Sequence, residues 1–474
     1  MKIKFNNIKA FVEFDGVTEK ANFNSIKNEL RVMAPGAEYT YEYIRWKKSR
    51  GKAGWDGKVK ILDDTFNVGL LPEVKKLLWN TFKITPILID ERPRINLSPF
   101  VSSIDLKPYQ EETFQACINN SFNNMGWPRG VIQLATGGGK THVAMALYEY
   151  YNEPSLFLVH RKDLVTQTAK SFSKFLNISP TTMIEGEIIP GDKNITIATI
   201  QTLSSLIEAG KVLPFLLNIK QVFFDEAHLI AASLAKGNTL VTVSNLLENA
   251  HMRWGLTATP FMRDKYSNWL LKGVTGEILY TKSSQDLIKT GDLTPPKITI
   301  LQAPLISNCP QTWPECYDAG VVLNSGRNEL IIKQLATIKK PCIIMCKQIA
   351  HANILQNYAK QSGYHIPILQ GSSPAEERTR IVYDLKKVKQ PVVICTTIFD
   401  EGIDIPELKS IILAGAGRSA IKQIQRIGRL LRKSVGKQEV TVIDFNDGCA
   451  KLLQKHSKER IKICREQGFE INIP

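Results

Sequence analysis

A glycine-rich stretch near residue 140 has the residue types that bind phosphate. An apolar run at 130–134 leads into Ala135-Thr136-Gly137-Gly138-Gly139-Lys140-Thr141, and a helical pattern follows. Glycines let successive backbone N–H groups point at one anion, and the helix N-terminus adds partial positive charge. The pattern predicts a P-loop for ATP and Mg²⁺, with the hydroxyl of Thr141 on the metal. The expected ATP contacts are Thr136, Gly137, Gly138, Gly139, Lys140 and Thr141; the first glycine of the usual pattern is replaced by Leu134.

Two adjacent acidic residues supply the second half of such a site. The apolar run at 221–225 ends at Asp225, and Glu226 follows it. An aspartate here can hold Mg²⁺ or its waters, and the neighbouring glutamate can polarise an attacking water. Taken alone, the pair could be the solvated end of a strand. Downstream of a P-loop it favours ATP hydrolysis, with Lys140 and Glu226 as catalytic residues.

The helices and strands that must position these residues are predicted to form two α/β lobes. Apolar runs alternate with helical segments, which indicates a parallel sheet covered on both faces, with ligands at the carboxyl ends of its strands. The two series of predicted strands are 130–135, 155–160, 195–199, 221–225 and a run ending at 254–259, then 341–346, 365–369, 391–397, 410–415 and 440–445. Glycine and prolines at 290–296 mark the junction. We expect a first lobe at 101–292 and a second lobe at 296–474.

Residues 1–95 predict a separate small α+β domain, followed by a linker at 91–99. Short strands are expected within 2–5, 10–14 and 58–62, and one helix at 71–82. The stretch 41–58 interleaves aromatic rings with basic residues, a composition suited to stacking on bases and meeting phosphates. The nucleic-acid contacts predicted there are Arg45, Trp46, Lys47, Lys48, Arg50, Lys52 and Trp55. Trp55 could equally be a core residue of this small domain.

Composition narrows the class of partner. The 474 residues include 61 Lys and Arg against 45 Asp and Glu, a formal charge of +16. Such a charge favours a polyanion, although solubility alone could explain it. No apolar run approaches the ~20 residues that span a bilayer, which disfavours a membrane, and the basic N-terminus does not lead into a secretory signal. The eight cysteines form no CxxC pair, which favours a reducing cytoplasm, or the host cytoplasm for a viral protein.

In the order and spacing of these motifs the chain resembles superfamily 2 helicases and translocases from about residue 101 to 450. The DEAH form of motif II is Asp225-Glu226-Ala227-His228. The resemblance implies adenine recognition by Tyr109 and Gln110, and coupling of nucleotide state to lobe movement by His228, Thr257 and Thr259. It also implies that motifs Ia and Ic contact the nucleic-acid backbone, through Arg161, Thr199 and Gln201.

The second series continues the resemblance through motifs V and VI. It implies that Gly402, Asp404 and Gln425 lie near the nucleotide and that Thr396 and Thr397 lie near the strand. Arg429 and Arg432 are predicted to share one helical face as catalytic arginines that meet charge on the γ-phosphate. A solvated basic face remains the alternative for these arginines.

Within the superfamily, the short front domain and the Thr257-Ala258-Thr259 motif resemble XPB-related and phage UvsW-type DNA helicases. The resemblance implies two RecA-like lobes and a monomer that unwinds or branch-migrates forked or branched DNA in recombination, repair or replication. An iron–sulfur helicase is disfavoured because no cysteine lies between Cys117 and Cys309. Two alternatives stay open: an RNA helicase with the same motor, and a DNA-binding scaffold whose ATP site is a relic.

Overall fold

The computed structural model describes residues 1–93, 100–123, 128–211, 213–231, 239–260, 264–396, 405–417 and 419–473. Internal contacts divide the chain into two compact units. The first comprises Met1–Leu134 and Gly139–Thr281, and the second comprises Ala135–Gly138 and Lys282–Pro474. The N-terminal domain therefore belongs to the same unit as the first lobe.

The N-terminal domain is a small α+β fold. Its strands are β1 (Lys2–Phe5), β2 (Lys9–Glu13), β3 (Arg31–Met33), β4 (Lys58–Lys60), β5 (Thr65–Asn67) and β6 (Ile87–Asp90), and its helices are α1 (Val17–Glu29), α2 (Tyr41–Lys48) and α3 (Leu71–Phe82). Four strands form a sheet in the order β5-β2-β1-β6, while β3 and β4 pair separately. Alternate residues of β1 and β2 point inward and join α1 and α3 in one apolar core.

The first lobe is a parallel α/β layer built on one wide sheet. Its strands are β7 (Arg129–Leu134), β8 (Ser155–Val159), β9 (Thr181–Ile184), β10 (Glu187–Ile189), β11 (Ile195–Thr199), β12 (Gln221–Asp225), β13 (Met252–Thr257) and β14 (Ile278–Lys282). The surrounding helices are α4 (Pro108–Asn123), α5 (Lys140–Tyr151), α6 (Lys162–Leu176), α7 (Ile200–Glu208), α8 (Leu213–Asn218), α9 (Thr239–Leu246) and α10 (Lys265–Thr275). The strand order is β10-β9-β11-β8-β12-β13-β7-β14. Every residue of β8, β11 and β13 is buried, as expected for strands covered on both faces.

A fully buried arginine ties the N-terminal domain to the first lobe. The Arg129 guanidinium donates to the carbonyl oxygens of Val274 (2.7 Å) and Thr275 (3.2 Å) in the lobe, and to that of Asn7 (3.1 Å) in the domain. Burial lowers the pKa of Arg129. The side chain of Asn7 in turn donates to the Glu248 carbonyl oxygen at 2.9 Å. Because these groups are buried, separating the two parts would leave several polar atoms without partners.

Close backbone approach reinforces the same contact. A Cβ on Gly69 would collide with the carbonyl oxygens of Lys272 and Gly273 in α10. The Lys272 ammonium lies 2.8 Å from the carboxylate of Glu73 in α3, and Trp269 packs against the core of the N-terminal domain. The domain is thus seated on α10 and the adjoining edge of the lobe.

The second lobe repeats the α/β pattern. Its strands are β15 (Pro296–Gln302), β16 (Cys342–Met345), β17 (Ile368–Leu369), β18 (Val392–Cys395), β19 (Ser410–Ile412), β20 (Val440–Asn446) and β21 (Glu470–Asn472), in the order β17-β18-β16-β19-β20-β15-β21. Its helices are α11 (Ser284–Lys289), α12 (Glu315–Tyr317), α13 (Ser325–Lys333), α14 (Ile349–Gln361), α15 (Ala375–Lys386), α16 (Ala420–Leu430) and α17 (Lys451–Glu466). Neighbouring strands of this sheet pair in parallel. The predicted fold class is confirmed. The chain has a small N-terminal α+β domain followed in sequence by two lobes with parallel sheets.

One sequence-based prediction in this lobe was wrong. Arg429 lies in α16, but that helix ends at Leu430, and Arg432 forms an isolated antiparallel bridge with Leu293. The buried Lys437 ammonium explains the ending, because it donates to the carbonyl oxygens of Leu430 (2.6 Å) and Arg432 (2.8 Å). A cation that satisfies these terminal carbonyls stops the helix there. Arg429 and Arg432 therefore do not share one helical face.

The contact between the N-terminal domain and the first lobe can be tested with a matched pair of glycine substitutions. Gly69→Ala should lower the free energy of unfolding of the full chain by roughly 2 kcal/mol or more. The new Cβ meets backbone atoms, which cannot rotate away as a side chain can. Gly16→Ala is the control, since Gly16 is extended and nothing lies within 4 Å of its Cβ position. The measurement is the unfolding temperature by calorimetry, with limited proteolysis between the domain and the lobe. Equal unfolding temperatures for both variants would contradict the close approach.

Candidate ATP site and nucleic-acid groove

The residues predicted to do chemistry in the first lobe lie at one edge of its sheet. Strands β11, β8, β12, β13 and β7 are adjacent and mutually parallel. Their carboxyl ends are therefore side by side, the usual place for ligands in such sheets. Along this edge come Thr199 at the end of β11, Arg161 after β8, Asp225 at the end of β12, Thr257 at the end of β13, and the glycine-rich stretch after β7.

The glycine-rich stretch adopts the conformation that its residue types predict. Gly137 and Gly139 have φ values of 86° and 77°, in the left-handed region that favours glycine. Helix α5 begins at Lys140, so Thr141 lies in its first turn. The Lys140 ammonium lies 3.3 Å from the Leu134 carbonyl oxygen. The lysine is thus folded over the loop that precedes it.

The predicted adenine-recognition residues lie next to the end of this stretch. Tyr109 and Gln110 lie in the first turn of α4 and are both buried. The Gln110 side-chain oxygen accepts from the Lys107 backbone N–H at 3.0 Å. Its side-chain nitrogen occupies the position where a Cβ on Gly139 would lie. A side chain larger than hydrogen at position 139 would therefore displace the glutamine.

A chain of polar contacts links motif II to motif III. The His228 Nδ1 lies 3.3 Å from Glu226 Oε2 and 3.0 Å from Thr257 Oγ1. The Thr259 backbone N–H donates to the same hydroxyl at 3.1 Å. His228, Thr257 and Thr259 are all buried. The structure thus brings together the three residues predicted to couple nucleotide state to movement.

The position of Glu226 is unusual in its backbone and its electrostatics. Its φ is 48°, which a non-glycine residue adopts only when the surroundings hold it there. Burial alone would raise the pKa of Glu226, but the hydrogen bond with His228 and the charge of Lys140 together lower it below its ordinary value. The carboxylate is therefore ionised at neutral pH, as an acceptor of a proton from water must be.

The residues at this edge fit ATP and Mg²⁺. Lys140 supplies a cation close enough to Glu226 to lower the pKa of that carboxyl, so positive charge for phosphate and negative charge for water lie together. Thr141 and Asp225 supply the oxygen ligands that Mg²⁺ accepts alongside phosphate oxygens and water. Bound there, Mg²⁺ would neutralise charge on the phosphates.

A groove of about 480 Å³ opens at the other end of the same edge. It is lined by His160, Arg161, Lys162, Glu185, Gly186, Thr199, Gln201, Thr202 and Ser205. The three predicted motif Ia and Ic contacts, Arg161, Thr199 and Gln201, are thus brought together. The Thr199 hydroxyl caps α7 by accepting from the Thr202 backbone N–H at 3.1 Å. This hydroxyl therefore holds the wall of the groove in place.

The predicted residues of the second lobe are less completely described. Thr396 is buried directly after β18, and Gln425 and Arg429 lie in α16. The buried Gln423 side chain donates to Asp444 Oδ2 at 3.1 Å, which fixes one face of that helix against β20. Thr397, Gly402 and Asp404 lie outside the described residues.

The N-terminal domain presents the predicted basic and aromatic stretch on its surface. Arg45, Lys47, Lys48, Arg50 and Lys52 are all exposed, and no residue of α2 is buried. Trp46 is half-buried and stacks on Tyr43, with ring centroids 5.8 Å apart. Trp55 is also half-buried, and its indole N–H donates to the Lys58 carbonyl oxygen at 3.0 Å. We call this region, residues 39–58, the α2 surface.

Sequence reasoning missed two features of these sites. His160 directly follows β8 and lines the groove, although only its neighbour Arg161 was predicted to make a contact. Tyr39 precedes the predicted stretch and exposes 83% of its surface beside α2. A histidine at the end of a buried strand and a tyrosine within a polar stretch are the signals that could have indicated them.

Two family matches together cover more than half of the chain. Residues 103–262 match the type III restriction enzyme res subunit, and residues 326–434 match the helicase conserved C-terminal domain. The chain belongs to superfamily 2 of the helicases. The predicted resemblance is confirmed by these matches, and with relatives named ATP-dependent helicases it makes the chain an ATP-hydrolysing helicase.

Individual relatives agree with this family. The chain is 26% identical over 466 residues to putative helicase 22 of Sulfolobus islandicus filamentous virus, covering 89% of this chain and 81% of the relative. It is 25% identical to the DNA 3'-5' translocase XPB2 of Sulfurisphaera tokodaii, covering 70% and 79%. It is 24% identical to the ATP-dependent DNA helicase uvsW of Enterobacteria phage T4, covering 90% and 88%. Other relatives are named RNA helicases.

A solved structure supports the fold. The ATP-dependent type ISP restriction-modification enzyme LlaBIII, bound to DNA, aligns with 76% of this chain and 30% of its own, with a TM-score of 0.58 and 19% identity. Among the residues that the structure describes, no helix has both the length and the apolar character needed to cross a bilayer.

The ionised Glu226 gives a direct test of the ATP site. Glu226→Gln should lower ATP turnover at least a hundredfold while ATP still binds, because Lys140, Thr141 and Asp225 remain and only the water loses its base. Glu187→Gln, which changes an exposed carboxylate of the same lobe, is the control. Steady-state phosphate release and equilibrium binding of a fluorescent ATP analogue are the two measurements. Parental turnover in Glu226→Gln would assign that carboxylate another role.

Proposed function

We propose that this chain is an ATP-dependent DNA helicase or translocase that unwinds or branch-migrates forked or branched DNA, in recombination, repair or replication. The observation that carries the proposal is the exposed α2 surface on a domain that is seated on the first lobe. Basic side chains beside partly exposed rings suit a nucleic-acid partner, because cations neutralise phosphates and rings stack on bases.

The motor in this proposal uses the residues gathered at the edge of the sheet. Tyr109, Gln110 and the glycine-rich stretch bind ATP, Thr141 and Asp225 hold Mg²⁺, and Glu226 activates water. In the second lobe, Arg429 and Arg432 are the candidate arginines for charge on the γ-phosphate, with Gln425, Gly402 and Asp404 near the nucleotide. Tests of Arg429 and Arg432 should treat them separately, since only Arg429 lies in α16.

The nucleic-acid path in this proposal starts at the groove of the first lobe. Arg161 and Gln201 contact the backbone of one strand, and Thr396 and Thr397 continue the path in the second lobe. The α2 surface can meet a different part of the same DNA because the domain is held to the lobe by Arg129 and by the close approach at Gly69. Contacts at two separate places would allow the protein to hold two arms of a branched substrate.

The working state that we propose is a monomer in a reducing cytoplasm, the host cytoplasm if the protein is viral. All eight cysteines lie among the described residues, none of them is in a disulfide, and seven are buried. Buried thiols in this number suit a compartment that does not oxidise them.

An RNA helicase with the same motor is the second candidate. It is favoured by the RNA helicases among the relatives, and the residues of the motor do not separate the two. A scaffold with a relic ATP site is disfavoured, because Lys140, Asp225 and Glu226 are all in place at the edge of the sheet.

The α2 surface can be tested by charge removal. Changing Arg45, Lys47, Lys48 and Arg50 together to Ala should weaken binding to a four-way DNA junction more than binding to a single strand. The slope of log affinity against log salt should fall in magnitude by up to about 3.6, which is roughly 0.9 for each of the four phosphates that the variant no longer neutralises. Equilibrium binding by fluorescence anisotropy across a salt series measures both quantities.

The control for this variant removes the same charge elsewhere. Helix α17 carries four exposed lysines, Lys451, Lys455, Lys458 and Lys462. Their joint change to Ala lowers the net charge by the same amount without touching the α2 surface. If the two quadruple variants reduce junction affinity equally, the effect belongs to net charge, and the α2 surface has no specific role.

A further inference from the structure

His160 stands where the nucleic-acid groove and the ATP site meet. Strands β8 and β12 are parallel neighbours in which Leu158 pairs with Phe224. His160 directly follows β8 and Glu226 directly follows β12, so both lie at the carboxyl ends of neighbouring strands. His160 is also one of the residues that line the groove, together with Arg161 and Gln201. This histidine is therefore placed to contact both halves of the edge.

One ring atom of His160 has an unmet hydrogen-bonding capacity. Its Nδ1 is buried and has no hydrogen-bond partner among the described residues. Buried polar atoms in folded proteins are almost always paired, so this nitrogen is available to a partner that the described residues do not supply. Burial lowers the pKa of His160, and the ring is therefore neutral near pH 7, with one nitrogen able to donate and one able to accept.

Glu226 is the acceptor near this ring that matters for catalysis. The two groups are close enough for the charge of Glu226 to act on the pKa of His160, against the larger effect of burial. The Glu226 carboxylate lies 3.3 Å from the His228 imidazole, which is long for a charge-assisted hydrogen bond. An ionised carboxylate has about four acceptor positions, so it can accept from His160 as well as from its other partners.

We propose that His160 is a positioning residue that makes ATP hydrolysis depend on an occupied groove. A nucleic-acid backbone bound by Arg161 and Gln201 fixes the segment after β8. In that state the His160 ring donates through Nδ1 to the Glu226 carboxylate and orients it toward the attacking water. Without a strand in the groove, the ring makes no such bond and Glu226 is poorly oriented. This inference rests on the proposed function, and it adds that nucleic acid in the groove stimulates the ATPase.

The test compares four variants of the full chain, two at His160 and one each at His365 and Gln201, by ATP turnover against oligonucleotide concentration. His160→Leu keeps an apolar side chain of similar bulk but removes the nitrogen. His160→Asn keeps a donor near the position of Nδ1. His365→Asn changes an exposed histidine of the second lobe and is the inert control. A single-stranded DNA oligonucleotide is the probe, and thermal unfolding of each variant is measured alongside.

The expected result is a split between maximal rate and apparent affinity. His160→Leu should lower the DNA-stimulated kcat at least tenfold, with the half-stimulating DNA concentration changed less than about twofold, because the groove contacts remain. His160→Asn should recover a substantial part of that rate, and His365→Asn should match the parent. Gln201→Ala should show the opposite pattern, a raised half-stimulating concentration with most of the kcat retained.

Several outcomes would overturn the inference. If His160→Leu raises the half-stimulating concentration and leaves kcat unchanged, His160 is only a wall of the groove. If the Leu and Asn variants slow turnover equally and unfold at lower temperature, its role is structural. If the parent itself shows no stimulation by any nucleic acid, the proposed function fails, and this inference fails with it.

Discussion

The parallel alignment of five adjacent strands in the first lobe is the constraint on which the rest of the structure depends. Because β11, β8, β12, β13 and β7 run in one direction, five chain segments far apart in sequence end at one edge. The two halves of this edge differ in chemistry. The β7, β13 and β12 side carries phosphate-binding and acidic groups, and the β8 and β11 side carries the groove. The residues suited to hydrolysing ATP and those suited to gripping a strand are thus parts of one sheet.

This arrangement gives the two halves a short route of communication. Glu226 belongs to the ATP half and is joined to motif III through His228 and Thr257. His160 belongs to the groove half and directly follows β8, the strand next to the one that Glu226 follows. Because these two strands are neighbours spaced ~4.8 Å apart, a movement of His160 can change the position of Glu226, and the reverse also holds. The buried core beneath, in which Phe157 and Phe223 stack with centroids 5.6 Å apart, keeps β8 and β12 from shifting separately.

Features that depend on the local pattern of apolar and polar residues could be predicted from the sequence. Features that depend on contacts between residues distant in sequence could not. The strands Ile195–Thr199 and Gln221–Asp225 are continuous apolar runs bounded by polar residues, so their ranges were predictable. The end of α16 was not, because it depends on Lys437, which reaches back from beyond the helix. The seat of the N-terminal domain also escaped prediction, since Arg129 reads as an ordinary polar residue beside a strand and its partners lie more than a hundred residues away.

Nucleic acid, and branched DNA above all, should control the ATPase of this chain if the two halves of the edge are coupled in this way. Steady-state ATP hydrolysis by the purified full chain tests that control, with single-stranded, duplex, forked and four-way DNA and with matched RNAs at one salt concentration. We predict that all nucleic acids raise turnover, that DNA exceeds RNA of the same shape, and that forked and four-way DNA exceed linear duplex. Turnover that no nucleic acid changes, or that RNA raises more than DNA, would contradict this account of the chain.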